Sequence, residues 1–183
     1  MVLTKSTNMA IGAAAPDFTL PDTRNGQSVS LANHAGQAVL VVFMCNHCPY
    51  VVHLIDPLVA VAHQFADQGI ATITISSNDS LSYPQDAPEK MAELADRKAF
   101  QFPYCYDESQ SVAKAYDAVC TPDIFLFDQS HALYYHGQFD DTRPGAGQAH
   151  GKDLKEAAAA MLAGQAPPTQ TQPSVGCSIK WKG

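Results

Sequence analysis

Two cysteines separated by two residues, Cys45 and Cys48, are the side chains of this sequence best suited to chemistry. They stand in Met44-Cys45-Asn46-His47-Cys48-Pro49-Tyr50, directly after the apolar run Val39-Leu40-Val41-Val42-Phe43. Attack on a disulfide or a peroxide is carried out by a thiolate, and a second thiol must lie close enough to resolve the product. A pair at this spacing supplies both. Cys45, as the more N-terminal and by that place the more exposed thiol, takes the attacking role in this reading. Cys48, three residues on and on the same side of a helix, resolves. His47 can bring a positive charge beside the thiolate, lowering its pKa and making the disulfide form more oxidising.

Metal is the competing use of the same sulfurs. Structural zinc needs four ligands, and the chain has no second CxxC and no HxxxH to complete the set, so Cys120 or Cys177 would have to be recruited. His47 and His53 are six residues apart and point about 120° away from each other on a helix, so they form no ligand pair. A softer copper site of Cys45, Cys48 and a histidine stays open, because Cu(I) accepts two or three thiolates.

The elements around the pair follow from pattern. Val39 to Phe43 is apolar throughout, as a strand covered on both faces must be. Val51, Leu54, Ile55, Leu58, Ala62 and Phe65 then recur at helical spacing up to Gly69. The cysteines therefore sit where a strand ends and a helix begins, within reach of first-turn N–H groups that stabilise a thiolate. Pro49 suits that first turn, whereas Pro57 lies inside and predicts a kink or a break. Ile70 to Ile75 reads as a second buried strand, parallel to the first. Asp86 and Glu89 form a capping box for a helix carrying Met91, Leu94 and Ala95, ending near Phe100.

Upstream, Phe18-Thr19-Leu20 and Val29-Ser30-Leu31 flank Asn25-Gly26 and predict a hairpin. Downstream come a short strand at Phe102 to Tyr106 and a helix, capped by Asp107 or Ser109, carrying Val112, Ala115, Tyr116 and Val119. Asp123 to Phe127 and Ala132 to His136 form an antiparallel pair of strands. Asp153 and Glu156 cap a last helix from Leu154 to Ala163, which Gly164 ends. Residues 1–164 thus read as one domain. From Gln165 the chain turns to Pro, Thr and Gln, a tether, before Val175 to Trp181 becomes apolar again, so residues 165–183 read as a tail that docks on that domain.

Thr121-Pro122 precedes an apolar strand in a β-α-β-α-β-β-α order, the place where thioredoxin-like folds carry a cis-proline facing the CxxC. Cys120 then is either a third thiol beside the site or a small buried hydrophobe. Cys177 is either a resolving thiol delivered by the tail or packing beside Trp181, and Cys105 belongs to the core. Asp123, Asp140, Asp141 and Arg143 gather at the same end of the sheet, and of these Arg143 is held as a site candidate. His34, His63, His131 and His150 receive no role.

At 183 residues the chain can bury a core without covalent staples, and 46% hydrophobic with 16% charged residues describes a globular protein rather than a disordered one. A net charge of −7 without a basic run argues against nucleic acid as a partner. Residues 1–16 lack the apolar stretch of a signal peptide, and no segment is long enough to span a bilayer. A cytoplasmic location is the expectation, and in that reducing setting a CxxC points to redox chemistry or metal rather than to a structural disulfide.

Ala15-Pro16-Asp17-Phe18-Thr19-Leu20-Pro21-Asp22, with Val29-Ser30-Leu31 after a turn, resembles the opening of redoxin domains of the alkyl hydroperoxide reductase/thiol-specific antioxidant class. Cys45 to Val51, Cys120-Thr121-Pro122-Asp123, Asp140 to Pro144 and Gly176 to Trp181 together are similar to a peroxiredoxin-like branch of the thioredoxin superfamily. The resemblance implies an α/β thioredoxin-like fold: a central mixed sheet flanked by helices, an N-terminal β-hairpin, and an extra strand and helix after the CxxC helix. In the peroxiredoxin pattern Pro-x-x-x-Thr/Ser-x-x-Cys the peroxidatic cysteine aligns with Cys48, but Val41 stands at the proline and Cys45 at the hydroxyl residue. The CxxC itself is what thiol-disulfide oxidoreductases use. The expected function is therefore thiol-disulfide exchange, in which Thr121-Pro122 shapes the groove and Cys120 or Cys177 relays electrons. Its substrate is a protein or small-molecule disulfide, its electron donor a thiol, and it needs no cofactor. A thiol-dependent peroxidase acting on peroxide, a copper-binding module and a redox-inert interaction domain are the alternatives. The expected reduction potential lies above the roughly −270 mV of thioredoxin.

Overall fold

A computed structural model describes residues 3–183. Strand β1 (Leu3–Lys5) is followed by the hairpin of β2 (Thr19–Pro21) and β3 (Ser28–Ser30), whose turn uses Gly26 at a φ of +72°. Only a residue without a Cβ adopts that angle freely. Next come β4 (Ala38–Phe43), α1 (Pro49–Asp67), β5 (Ile70–Ser76), α2 (Pro88–Arg97), β6 (Tyr104–Tyr106) and α3 (Ser111–Ala115). The chain continues through β7 (Cys120–Thr121), β8 (Asp123–Phe127), β9 (Leu133–His136), α4 (Lys152–Leu162) and β10 (Val175–Ser178).

The main sheet has the order β6-β5-β4-β8-β9, parallel from β6 to β4 and antiparallel from β4 to β9. This is the expected mixed sheet, with β4 at its centre and every β4 residue buried. Alternate β4 side chains feed two cores. Leu40 and Val42 pack with Leu54 and Leu58 of α1 and Leu154 of α4, whereas Val39, Val41 and Phe43 pack with Phe18, Tyr116 and Phe125. Burial on both faces is why the strand has no polar alternation.

Three local expectations need correction. The break expected at Pro57 does not occur: helix α1 continues through it, with Leu54 and Ile55 before it and Leu58, Val61 and Ala62 after it buried in one core. Helix α2 starts from Ala87 as its N-cap with Pro88 at N1, leaving Asp86 in the preceding 3-10 turn Pro84–Asp86 and free of capping duty. Helix α4 starts from Gly151 at a φ of +67°, and Asp153 instead accepts a hydrogen bond from Gln138 Nε2 at 2.7 Å.

A second sheet of order β1-β10-β7 is antiparallel throughout and lays the tail across the end of β4 and α1. Its register pairs Cys177 with Leu3 on one side and with Thr121 on the other, and Ser178 with Cys120. Beyond it, Ile179 N–H donates to the Val119 carbonyl (2.9 Å), Lys180 N–H to Asn78 Oδ1 (2.9 Å) and Lys182 N–H to Gln110 Oε1 (2.9 Å). Gly176 passes so close to β7 that a Cβ there would stand 1.9 Å from the Thr121 carbonyl oxygen. No helix among the described residues is long and apolar enough to cross a membrane.

Candidate active site

The site forms where β4 hands over to α1. Met44 N–H still donates to Ile75 O across the sheet, and the chain then bends through Cys45, Asn46 and His47 to Cys48, the N-cap of α1, with Pro49 at N1. Thr121 closes it from the other side: its Oγ1 lies 3.5 Å from Cys45 Sγ and its carbonyl oxygen 3.1 Å from Cys48 Sγ. The Thr121-Pro122 bond is cis. From β10, Cys177 Sγ comes to 2.8 Å from Cys48 Sγ. Cys45, Cys48 and Cys177 are 1%, 0% and 4% exposed, so Cys45 is not the open thiol that its place in the sequence suggested. The covering side chains are those of Thr121 and the tail.

Of the three thiols, Cys48 is the one shifted towards ionisation. A hydrogen bond from the Cys45 thiol pulls Cys48 well below the ordinary thiol value; burial opposes it, while the Cys177 thiol and the Val51 and Cys177 backbone N–H groups add to it. Cys45 is pushed far up by that same bond to Cys48, then by burial and the Asp86 carboxylate, with the Thr121 hydroxyl acting in the opposite sense. Cys177 is also raised, by burial and by its bond to Cys48.

Asp86 organises the loop between the cysteines. Fully buried, it accepts from Asn46 N–H (2.8 Å), from His47 Nδ1 (2.6 Å) and from Asn78 Nδ2 (2.8 Å). Tyr104 Oη donates to Asn46 Oδ1 at 3.1 Å, and the His47 ring stacks on Tyr83. His47 Nδ1 is bonded to Asp86, and a ring nitrogen of His47 stands within 4.8 Å of Cys45 Sγ. Asp86 escaped the sequence reading because Asp-x-x-Glu looks like a helix cap; Pro88 two residues later was the signal against it. Cys45, His47 and Asp86 present metal-donor atoms within 4.8 Å of one another, a different set from the Cys45-Cys48 copper pair, and there the carboxylate already serves three hydrogen bonds.

The remaining candidates divide. Pro122 and Arg143 line a small pocket of about 20 Å³ with Tyr50, His53, Thr142 and Val175, room for little more than a water. The Arg143 guanidinium is bonded to Gln138 Oε1 (2.7 Å) and to the Asp140 and Thr142 carbonyls, so it braces its own loop rather than reaching a sulfur. Cys120 is fully buried and its thiol points to the Pro122 carbonyl at 3.7 Å. Burial first, then the charges of Asp123, Cys48 and Cys177, push its thiol up, so it lies within electrostatic reach of the sulfur cluster without bonding to it. Cys105 is buried in the second core, as expected, and burial pushes its thiol up to about 12.

Known proteins bear on this geometry. A Geobacillus kaustophilus protein described as an uncharacterized conserved protein has a crystal structure that superimposes with a TM-score of 0.96 at 42% identity, covering 100% of this chain and 97% of that one. The thioredoxin domain of a Bacteroides vulgatus thiol-disulfide oxidoreductase matches at a TM-score of 0.62 and 21% identity, over 81% of this chain and 98% of that one, a likeness of fold. A Mycobacterium tuberculosis protein named as a candidate peroxiredoxin, Rv2521, is 32% identical over 116 residues, 63% of this chain and 69% of its own. The thiol-disulfide oxidoreductase ResA of Geobacillus kaustophilus is 28% identical over 130 residues, 69% of this chain and 68% of its own. The AhpC/TSA family matches residues 11–136, and the chain belongs to that family, as an oxidoreductase of thioredoxin-like fold.

Proposed function

We propose that this protein catalyses thiol-disulfide exchange with Cys48 as the attacking thiolate and Cys45 as the resolving thiol. What supports the assignment is the place of Cys48 as the N-cap of α1, where first-turn N–H groups favour a thiolate, together with the downward shift of its thiol and the upward shift of that of Cys45. This reverses the order of roles read from the sequence. The Cys48 thiolate attacks one sulfur of a disulfide R–S–S–R′, forming Cys48–S–S–R and releasing R′S⁻, which takes a proton from Cys45. The Cys45 sulfur then attacks Cys48 Sγ, RS⁻ leaves, and a Cys45–Cys48 disulfide remains. Two electrons have passed to the substrate, and an external thiol donor restores them. Thr121 and Pro122 form the wall against which the substrate seats. Both sulfurs are covered, so a protein disulfide gains access through local opening of that cover, whereas a small disulfide needs less. The cytoplasm, where thiols are kept reduced, is the proposed compartment.

A hydroperoxide is the second reading, favoured by membership of the AhpC/TSA family and by the thiolate on Cys48. Insulin or a dithio reagent reduced by wild-type protein, and by Cys48→Ser and Cys45→Ser, tests the first. Turnover is expected to vanish in Cys48→Ser, and a mixed disulfide on Cys48 to accumulate where Cys45→Ser is combined with Cys177→Ser. Full activity in Cys48→Ser overturns the assignment. Peroxide consumption with an external thiol, in the absence of disulfide turnover, replaces it by the second.

A further inference from the structure

We propose that Cys177 is a third redox partner, forming a disulfide with Cys48 that alternates with the Cys45–Cys48 bond. The inference rests on Cys48 being the attacking thiol. Its basis is geometric: the two Sγ atoms are 2.8 Å apart, within about 0.8 Å of a disulfide bond length. That approach is built into the fold rather than left to a loose end. Cys177 lies in the middle strand of the small sheet, bonded to β1 on one edge and β7 on the other, and Asn78 and Val119 hold the two residues that follow Ser178. The close passage of Gly176 against the Thr121 carbonyl brings the strand in far enough for the next side chain to reach the N-cap of α1. Thr121 and Cys177 are register partners, and both touch Cys48.

The chemistry balances without a further reagent. Once Cys48 carries a substrate group R, Cys177 gives its proton to the departing RS⁻ and its sulfur attacks Cys48 Sγ. The Cys48–R bond breaks and the Cys48–Cys177 bond forms. Cys45 can then attack Cys48 Sγ, with its proton passing to Cys177 as that bond breaks, leaving Cys45–Cys48. The second step moves a disulfide without net oxidation. Cys48 is thus the shared sulfur of two alternative bonds, and only one of them ties the tail covalently to α1.

Disulfide mapping after oxidation with diamide, an azo oxidant that takes two electrons and two protons from a thiol pair, tests this. Trypsin places Cys45 and Cys48 together in peptide 25–90 and Cys177 in peptide 156–180, so the two bonds are distinguishable by mass. Acid-quenched wild type is expected to yield both the internal bond in 25–90 and the joined peptides. Cys45→Ser is expected to yield the joined peptides, and Cys177→Ser none. If wild type shows only the internal bond and Cys45→Ser keeps Cys48 and Cys177 open to maleimide, the inference falls while the proposed dithiol function stands. If wild type forms neither bond, both fall. Because Cys45→Ser alters a buried position, the wild-type map decides independently of that variant's folding.

Discussion

Asp86 Oδ2 lies 2.6 Å from His47 Nδ1, although the two residues are 39 positions apart. The same carboxylate accepts from Asn46 N–H and from Asn78 Nδ2, and Asn78 Oδ1 in turn receives the Lys180 N–H of the tail. The loop between the two cysteines and the strand that covers them are therefore anchored on a shared pair of buried side chains. A disturbance at Asp86 reaches both.

Asp86→Ala removes the acceptor of three hydrogen bonds in a fully buried place, and a loss of about 3 kcal/mol or more in urea unfolding is expected, since each stranded donor costs on the order of 1–3 kcal/mol. Asp86→Asn keeps the shape and deletes the charge. Cys45, held high in part by that charge, should then titrate at lower pH, read from the pH dependence of its alkylation in a Cys48→Ser background. An unchanged profile would remove Asp86 from the account of Cys45.

Cys45→Ala deletes the hydrogen bond that does most to favour the Cys48 thiolate. The midpoint of thiolate absorbance near 240 nm for Cys48 should rise towards the ordinary thiol range, with the thiolate fraction at neutral pH falling once that midpoint passes about pH 7. A stationary midpoint would mean that the helix N-terminus alone suffices.

In the wild type the same stabilised thiolate favours the reduced form. A reduction potential above the roughly −270 mV of thioredoxin is expected from equilibration with glutathione. A value at or below it would contradict the charge distribution described for Cys48.

Gly176→Ala puts a methyl group 1.9 Å from the Thr121 carbonyl oxygen, a backbone atom with nowhere to go. The tail strand must shift, at an expected cost of about 1–3 kcal/mol. Faster maleimide labelling of Cys48 in this variant is the accompanying sign that the cover has lifted.

Asp140 offers a pH signature. Burial pushes its carboxyl up, but bonds from Thr142 and from the His150 and Gly151 N–H groups outweigh that and hold it at about 2, against 3.8 ordinarily. A depressed value means that its contribution is full above the unfolded pKa and disappears as pH falls through about 2. Acid unfolding curves should therefore show a decline between roughly pH 5 and pH 2, flattened by about 1 kcal/mol in Asp140→Asn.

The dithiol, the five-stranded sheet and the hairpin were legible because each rests on a local pattern. Val39 to Phe43 and Asp123 to Phe127 announce doubly covered strands, and Asn25-Gly26 announces a turn. The distribution of charge was not legible. Which cysteine ionises depends on who donates to whom among Cys45, Cys48, Cys177 and Thr121, and those contacts reach β7 and β10 from far along the chain. Strand β10 itself carries Gly176 and Ser178, which lack the β-branched signature of a strand, since the close approach to Thr121 demands a small residue where a valine would otherwise serve. Asp86 was hidden by a rival local pattern.

The separation of 129 positions from Cys48 to Cys177 also sets an order of events in time. A ribosome working at about 5–20 residues per second delivers the second sulfur roughly 6 to 26 s after the first. For that interval each new molecule carries its CxxC without the strand that later covers it. The newborn chain is consequently the stage at which Cys45 and Cys48 are most open to passing oxidants, metals and other thiols, and completion of the small sheet is what ends that exposure.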